Sequence, residues 1–268
     1  MKKKKRDYRF YIGAILTALI VLLVVVGIFY TPYDPDAMNP ADKFARVSPQ
    51  HLMGCDNFGR DIFSRILKGT GTTLLIALCT IGIGAGIGTV LGAVTGYYGG
   101  VADEILMRFN DAVLAFPSIL VALVFISIMG SGKYNVIIAL GIVFIPSFAR
   151  IVRAEFIHYR NLDYVQSAKL MGASAFRIMF VHILPNTWPV LLSSVIIGFN
   201  NAVLAEASMS FLGIGVQPPD ASLGRMLSES QAFLFSAPWC ALFPGLMIVL
   251  LILGFALLSE GLKGRSAC

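Results

Sequence analysis

Apolar runs long enough to cross a lipid bilayer dominate this chain and restrict what it can fold into. Hydrophobic residues make up 57% of the 268 positions, and charged residues make up only 13%. This composition is typical of a polytopic membrane protein rather than of one or two soluble domains. Runs of about 20 apolar residues favour transmembrane helices, whose backbone hydrogen bonds are satisfied within each segment. We therefore predict an all-α membrane protein with six transmembrane helices.

Polar stretches between the apolar runs define the six predicted spans. Residues 1–30 comprise a basic N-terminus and the first span, which we interpret as a retained helix because no small-residue cleavage site follows it. A five-helix core over residues 73–260 is predicted to contain the other spans, at 73–97, 105–129, 134–153, 188–212 and 238–258. The distribution of cationic residues predicts that the loop 161–186 and the tail 261–268 are cytoplasmic, as is the N-terminus. Residues 31–72 and 213–237 are then extracytoplasmic.

The net charge of +6 does not indicate a nucleic-acid-binding protein. Lys2 to Lys5 directly precede the first apolar run, as expected for the cytoplasmic end of a helix that faces anionic lipid. Basic residues are not interleaved with exposed aromatic residues, as they are in many nucleic-acid-binding patches. We therefore interpret the charge as a feature of membrane topology.

Sequence motifs for catalysis or metal binding do not occur in this chain. There is no HExxH and no GxSxG, and GSGK at 130–133 lacks the flanking residues of a phosphate-binding loop. The four cysteines share no CxxC spacing and the three histidines are scattered, so we predict neither a disulfide framework nor a metal site. No catalytic residue, metal ligand or cofactor is predicted in this chain.

Three polar residues interrupt the fifth predicted span, namely Asn200, Asn201 and Glu206. An acidic residue in an apolar helix is costly unless it faces a cavity or a partner, so these residues are candidates for a solute pathway. For Glu206, hydrogen bonding to a neighbouring helix is an equally good interpretation.

A polar segment at residues 161–186 has the pattern helix, break, helix. Tyr164, Ala168 and Met171 recur at helical spacing and predict one apolar face, and Gly172 predicts the end of that first helix. The second helix is predicted to end at Pro185. Each helix is too short and too polar to span a bilayer, and a pair of short amphipathic helices suits docking into a groove on a partner.

The motifs QSAKLMG and HILPN in this segment resemble the "EAA" loop of ABC-importer permeases, which has Glu-Ala-Ala, three residues, Gly, and further on Ile-x-Leu-Pro. Gln166, Ser167 and Ala168 occupy the Glu-Ala-Ala positions, so the acidic first residue is missing, and His182 occupies the usual Ile position. Gly172 matches, as do Leu184 and Pro185. GCDNFGRDIFSR at 54–65 and ASMSFLGIGVQPP at 207–219 resemble the peptide/nickel subfamily of these permeases.

This resemblance implies the type I ABC importer permease fold, with a cytoplasmic coupling helix, in the inner or plasma membrane of a prokaryote. It implies a second homologous permease subunit, two ABC ATPase subunits that bind ATP and Mg²⁺, and an extracytoplasmic solute-binding protein. The residues implied in ATPase coupling are Tyr164, Gln166, Ser167, Ala168, Met171, Gly172, Ile183, Leu184 and Pro185. Outer helices are expected near 57–68 and 224–235, and the residues expected to face the binding protein are Arg60, Asp61, Arg65 and Arg225.

The expected function is that of a non-enzymatic permease subunit for di- or oligopeptides. A permease for nickel or a metal chelate is the alternative within the same family. Two alternatives from other classes are a passive channel, which predicts solute flux without ATP, and an intramembrane enzyme, which predicts activity of the isolated chain.

Overall fold

A computed structural model describes residues 8–266 and, to residue 261, their side chains. The basic residues 2–6 and Cys268 lie outside the described residues. The helices are α1 (Tyr8–Phe29), α2 (Ile62–Tyr98), α3 (Gly100–Leu114), α4 (Ser118–Met129), α5 (Lys133–Tyr159), α6 (Asp163–Leu170), α7 (Ala175–Arg177), α8 (Leu184–Phe211), α9 (Leu223–Ser230) and α10 (Trp239–Ser266). Within the described residues, five helical stretches are long and apolar enough to cross a membrane, and the bent pair α3 and α4 raises the number to six. The prediction of an all-α polytopic fold is confirmed.

Helix α2 is longer than the sequence analysis predicted. It begins at Ile62, where the Asp61 carboxylate accepts a hydrogen bond from the Ser64 backbone N–H, and it continues to Tyr98 without interruption. The short outer helix expected near residues 57–68 is therefore the first part of this long helix. Gly69 and Gly71 lie inside this helix, where Gly69 faces Ser222 and Gly71 faces Val24.

A sharp bend divides the predicted third span. Helices α3 and α4 meet at 92°, with Pro117 at the start of α4. Proline disfavours a helical conformation at the residue before it, which explains why α3 ends at Leu114. The single span predicted at 105–129 is therefore two helices joined by a bend.

The sequence predicts that a helix ends at Pro185, and this prediction is wrong, because a helix begins there. A π turn over Ile178–Ile183 joins α7 to α8, and the Leu184 N–H bonds to the Met179 carbonyl. Pro185 lies in the first turn of α8, directly after this π turn. Together α7, the π turn and α8 form one helical stretch, Ala175–Phe211.

The α2–α5 pair is held together by a ridge of glycines on α2. A Cβ atom on Gly88 would lie 2.6 Å from the Phe148 Cβ, and one on Gly92 would lie 2.5 Å from the Ala149 carbonyl oxygen. Lipid supplies no hydrophobic drive for helix association, so such close backbone contact stabilises the pair by dispersion. The ridge therefore serves helix packing.

Candidate functional site

The segment between α5 and α8 is a compact loop whose reversal is fixed at Gly172. Gly172 has a φ of +82°, and its N–H bonds to the Lys169 carbonyl at 3.1 Å. The Ala173 N–H bonds to the Ala168 carbonyl at 3.1 Å, which completes a Schellman C-cap for α6. The Ser174 side chain then accepts from the Arg177 N–H and begins α7. A residue with a side chain would be strained at Gly172, because only glycine adopts this conformation readily.

The most exposed apolar side chains of this loop lie near its reversal at Gly172, which we call the tip. Leu170 is 90% exposed, Met171 is 82% exposed and Phe176 is 69% exposed. Ala168 and Ile183, by contrast, are buried within the chain at 6% and 0%. The spacing of apolar residues predicts Ala168 on the same docking face as Met171, but Ala168 packs inward because Val165 and Ala168 form the inner face of α6.

Hydrogen bonds attach the loop to the ends of the long helices. The Asn186 side chain donates to the His182 carbonyl at 2.7 Å and to the Tyr164 hydroxyl at 3.2 Å. The Tyr159 hydroxyl donates to the Asn186 carbonyl at 3.2 Å. Partial burial raises the pKa of Tyr164, and the nearby Tyr159 adds to the effect. The loop is therefore tied at both ends.

Gln166 and its neighbours have different roles in this arrangement. The Gln166 amide donates to the Arg160 carbonyl at 3.0 Å, which an ionised glutamate could not do. Ser167 and Pro185 are exposed, and Leu184 is half-buried beside the core. The residues implied in coupling thus comprise a buried set that holds the loop and an exposed set that a partner can reach.

A second feature is a cavity of about 330 Å³ at the α3–α4 bend. Its polar wall is formed by Ser118, Ser147, Asn201 and Ser208, and the rest of the wall is apolar. None of the wall residues is charged. Of the three candidates within the fifth span, only Asn201 lies on this wall. The serines were missed in the sequence because a single serine in an apolar helix is common and gives no periodic signal.

Glu206 lies away from the cavity wall and is fully buried. Its two carboxylate oxygens accept hydrogen bonds from the Thr73 hydroxyl at 2.9 Å and the Ser210 hydroxyl at 2.7 Å. Those hydroxyls in turn accept from the N–H groups of Leu223 at 3.3 Å and Val216 at 3.0 Å. Glu206 therefore joins α2 and α8 to the segment that follows α8. The side-chain oxygen of Asn200, the third candidate, is buried without a hydrogen-bond partner in the described chain.

Charged residues near the start of α2 form a buried network with α9, which we call the outer ion-pair cluster (Asp56, Arg60, Arg65, Arg225 and Glu229). Arg60 donates to Asp56 at 2.6 Å and to Glu229 at 2.7 Å. Arg65 and Arg225 donate to the same Glu229 carboxylate at 3.2 and 3.1 Å. The cluster links the segment before α2 to α9.

The expectation that these charges face a binding protein needs correction. Arg60, Asp61 and Arg65 are only 6%, 3% and 2% exposed, so they cannot form a surface for a partner in this conformation. They are buried because α9 packs against the start of α2 and supplies Glu229 as a counter-ion. Of the four residues, only Arg225 is partly exposed.

The described fold, with its bent span and its uncharged cavity between helices, defines a multi-pass membrane protein with the features of a transport protein. Residues 88–265 match the family of binding-protein-dependent transport system inner membrane components, and the chain belongs to this family. It is accordingly a multi-pass protein of the inner membrane.

Relatives of this chain are transport permeases. The dipeptide transport system permease protein DppC of Haemophilus influenzae is 38% identical over 258 residues, which cover 94% of this chain and 88% of the relative. The glutathione transport system permease protein GsiD of Pectobacterium atrosepticum is 42% identical over 259 residues, which cover 93% and 85%. DppC of Alkalihalophilus pseudofirmus is 37% identical over 262 residues, which cover 98% and 86%.

Proposed function

We propose that this chain is the permease subunit of an ATP-driven importer of short peptides. The similarity to dipeptide and glutathione permeases over nearly the whole chain carries this proposal, because all of these solutes are small peptides. The three relatives described above are named for dipeptide or glutathione transport, so the peptide function is favoured over the metal-chelate alternative. The chain itself performs no catalysis.

Energy for transport comes from partner ATPases. The sequence contains no phosphate-binding loop, so ATP and Mg²⁺ bind to two ATPase subunits in the cytoplasm. The exposed tip at Leu170 and Met171 docks into a groove on one ATPase. The loop 161–186 lies on the cytoplasmic side of the membrane, as do both termini. A second permease subunit completes the route, and an extracytoplasmic binding protein delivers the peptide.

The loop transmits ATPase movement because it is compact and tied to both α5 and α8. The Schellman cap at Gly172 and the Asn186 hydrogen bonds leave little freedom for the loop to deform by itself. A displacement of the docked tip therefore moves α5 and α8, and residues farther along both helices form part of the cavity wall. ATP binding changes the populations of the inward-facing and outward-facing states. The size of the change depends on how much more ATP binding stabilises one state than the other.

Replacing Met171 with glutamate is expected to remove the ATPases from the purified complex while the second permease remains. The substitution places a charge on a docking surface that has to be desolvated. The measurement is mass spectrometry of the proteins that co-purify with the tagged chain in mild detergent. Phe235→Glu is the control, because Phe235 is also a fully exposed apolar side chain and lies after α9, far from this loop in the chain. A wild-type chain that purifies alone, or unchanged ATPase recovery with Met171→Glu, would contradict the proposal.

The cavity at the α3–α4 bend forms this chain's part of the peptide route. Its serines and Asn201 can bond a peptide backbone, which every peptide has, and the wall has no fixed charge to select a side chain. Weak and multiple polar contacts also suit a route that a solute must leave as well as enter.

Replacing Asn201 with aspartate is expected to make the route charge-selective. The new carboxylate would attract a lysine-containing dipeptide and repel a glutamate-containing one, and we expect the ratio of their uptake rates to rise about tenfold. The measurement is uptake of the two labelled dipeptides by the assembled importer in proteoliposomes. Asn201→Ser keeps the wall neutral and should leave the ratio unchanged. An equal loss of both uptake rates with Asn201→Asp would place Asn201 outside the route.

A further inference from the structure

Three side chains with metal-binding atoms converge in the segment before α2. The donor atoms of His51, Cys55 and Asp61 all lie within 4.8 Å of one another, and the His51 Nδ1 is 2.9 Å from an Asp61 carboxylate oxygen. Cys55 and Asp61 are fully or almost fully buried, and the His51 side chain is 13% exposed. The spacing His-x3-Cys-x5-Asp matches none of the usual Cys and His motifs, which is why the sequence did not predict this cluster.

The backbone and neighbouring groups hold these three side chains in place. Cys55 and Asp61 lie opposite each other in an antiparallel bridge. The second Asp61 oxygen accepts from both the N–H and the hydroxyl of Ser64 at 2.8 Å, which orients the first oxygen toward His51. The His51 ring packs against Tyr33, with centroids 4.7 Å apart. The site is therefore preorganised.

The other nitrogen of His51 also faces a carboxylate. His51 Nε2 is 3.8 Å from an Asp42 oxygen, and Asn39 donates to that same oxygen at 2.5 Å. A metal-bound histidine typically donates its second ring N–H to such a group, which fixes its tautomer and strengthens the metal bond. At 3.8 Å the two groups are an ion-pair distance apart and are not hydrogen-bonded, so this outer-shell role requires them to move closer when the metal binds.

Negative charge accumulates around the thiol. The carboxylates of Asp61, Asp42 and Asp56 lie close enough to Cys55 to act on its sulfur electrostatically. The same charges favour a divalent cation, which replaces the thiol proton when it binds.

We propose that His51, Cys55 and Asp61 form a site for a zinc-type divalent metal ion that fastens the segment before α2 to the start of that helix. A thiolate, an imidazole and a carboxylate together match Zn²⁺, and three protein ligands leave a fourth position for water. The bound ion stabilises the folded segment next to the outer ion-pair cluster. This site is separate from the cavity and from the loop 161–186, so it does not depend on the proposed peptide substrate.

The test is metal analysis of the full chain, purified in detergent with the partners it retains, after growth with added zinc. The zinc content of the partner subunits, purified alone, is subtracted from that of the complex. We expect the difference to be about one tightly bound zinc ion per chain. After removal of zinc with a chelator, Co²⁺ should produce the near-ultraviolet absorption of a thiolate–cobalt bond. Cys55→Ser should abolish this absorption and lower zinc affinity at least about tenfold, whereas Cys79→Ser and Cys240→Ser should retain both.

Two further results separate a metal site from a purely structural His51–Asp61 pair. Cys55→Ser keeps that pair and is expected to fold, so its loss of cobalt absorption reports a missing ligand. Asp42→Asn leaves all three ligands and should weaken zinc binding by about tenfold. A wild-type chain without stoichiometric zinc and without the cobalt absorption would overturn the proposal, as would absorption unchanged by Cys55→Ser. A disulfide between Cys55 and Cys240, whose sulfur lies 3.7 Å from the Cys55 carbonyl, would also overturn it.

Discussion

Replacing Glu229 with alanine is expected to destabilise the folded protein by about 3–5 kcal/mol, the usual cost of removing one partner from a buried ion pair. Glu229 accepts hydrogen bonds from Arg60, Arg65 and Arg225, and the Arg65 side chain is only 2% exposed. Without Glu229, Asp56 is the remaining counter-ion near Arg60 and Arg65. Two buried guanidinium groups would then share one carboxylate.

The measurement for Glu229→Ala is the unfolding midpoint in detergent, followed by the yield of monodisperse protein. Glu104→Ala is the matched control, because Glu104 pairs with Arg108 at 3.7 Å on an exposed surface where both side chains are at least 70% exposed. Exposed ion pairs contribute little to stability, so the control should unfold almost like the wild type. Similar midpoints for the two variants would mean that the outer ion-pair cluster does not stabilise the fold.

The second large effect is expected for Gly92→Val, which should separate α2 from α5. A Cβ on Gly92 would lie 2.5 Å from the Ala149 carbonyl oxygen and 2.9 Å from the Arg153 backbone nitrogen, and neither backbone atom can move without shifting α5. Overpacking of a tight contact typically costs about 1–3 kcal/mol, and contact with backbone places this variant at or above the upper end. We expect little folded protein to be recovered.

Gly86→Val on the same helix is the control for Gly92→Val. A Cβ on Gly86 would meet nothing within 4 Å, so the control introduces the same side chain without the contact. Fluorescence-detected size-exclusion chromatography of both variants measures the folded fraction. Equal folded fractions would show that helix propensity, and not the approach of α5, determines the result.

Much of the fold could be predicted because bilayer thickness and backbone hydrogen bonding leave few options for long apolar runs. Helix ends were less predictable. Charged residues before Gly69 and the glycines at 69 and 71 suggested a separate outer helix, but neither glycine interrupts α2. The break before Pro117 has a local cause, but the bend angle depends on how α3 and α4 pack against the rest of the protein.

The outer ion-pair cluster was interpreted as a surface because its counter-ion is remote in sequence. Glu229 lies 169 residues after Arg60, and nothing local to residues 54–65 indicates that α9 covers them. The convergence of His51 with Cys55 and Asp61 was missed for another reason, since a tight loop brings together residues whose spacing matches no common motif.

The reversal in the loop 161–186 was predicted more successfully. Gly172 and Ser174 carry local conformational preferences that do not depend on the rest of the fold, and the structure has a C-cap and an N-cap at these positions. Which side of α6 faces inward depends on the long helices, and periodicity alone placed Ala168 on the outer side. The role of this loop in coupling remains a proposal that Met171→Glu tests.

The uninterrupted length of α2 has a consequence for how the permease changes conformation. Its 37 residues correspond to about 56 Å of helix, well beyond the roughly 30 Å of the hydrocarbon core. Arg160 donates to the Gly96 carbonyl near one end, and the outer ion-pair cluster joins α9 to the other. A tilt of about 5° around the midpoint of a rod this long displaces each end by roughly 2 Å. Because a buried ion pair is costly to break, α9 is expected to travel with α2 as one rigid body.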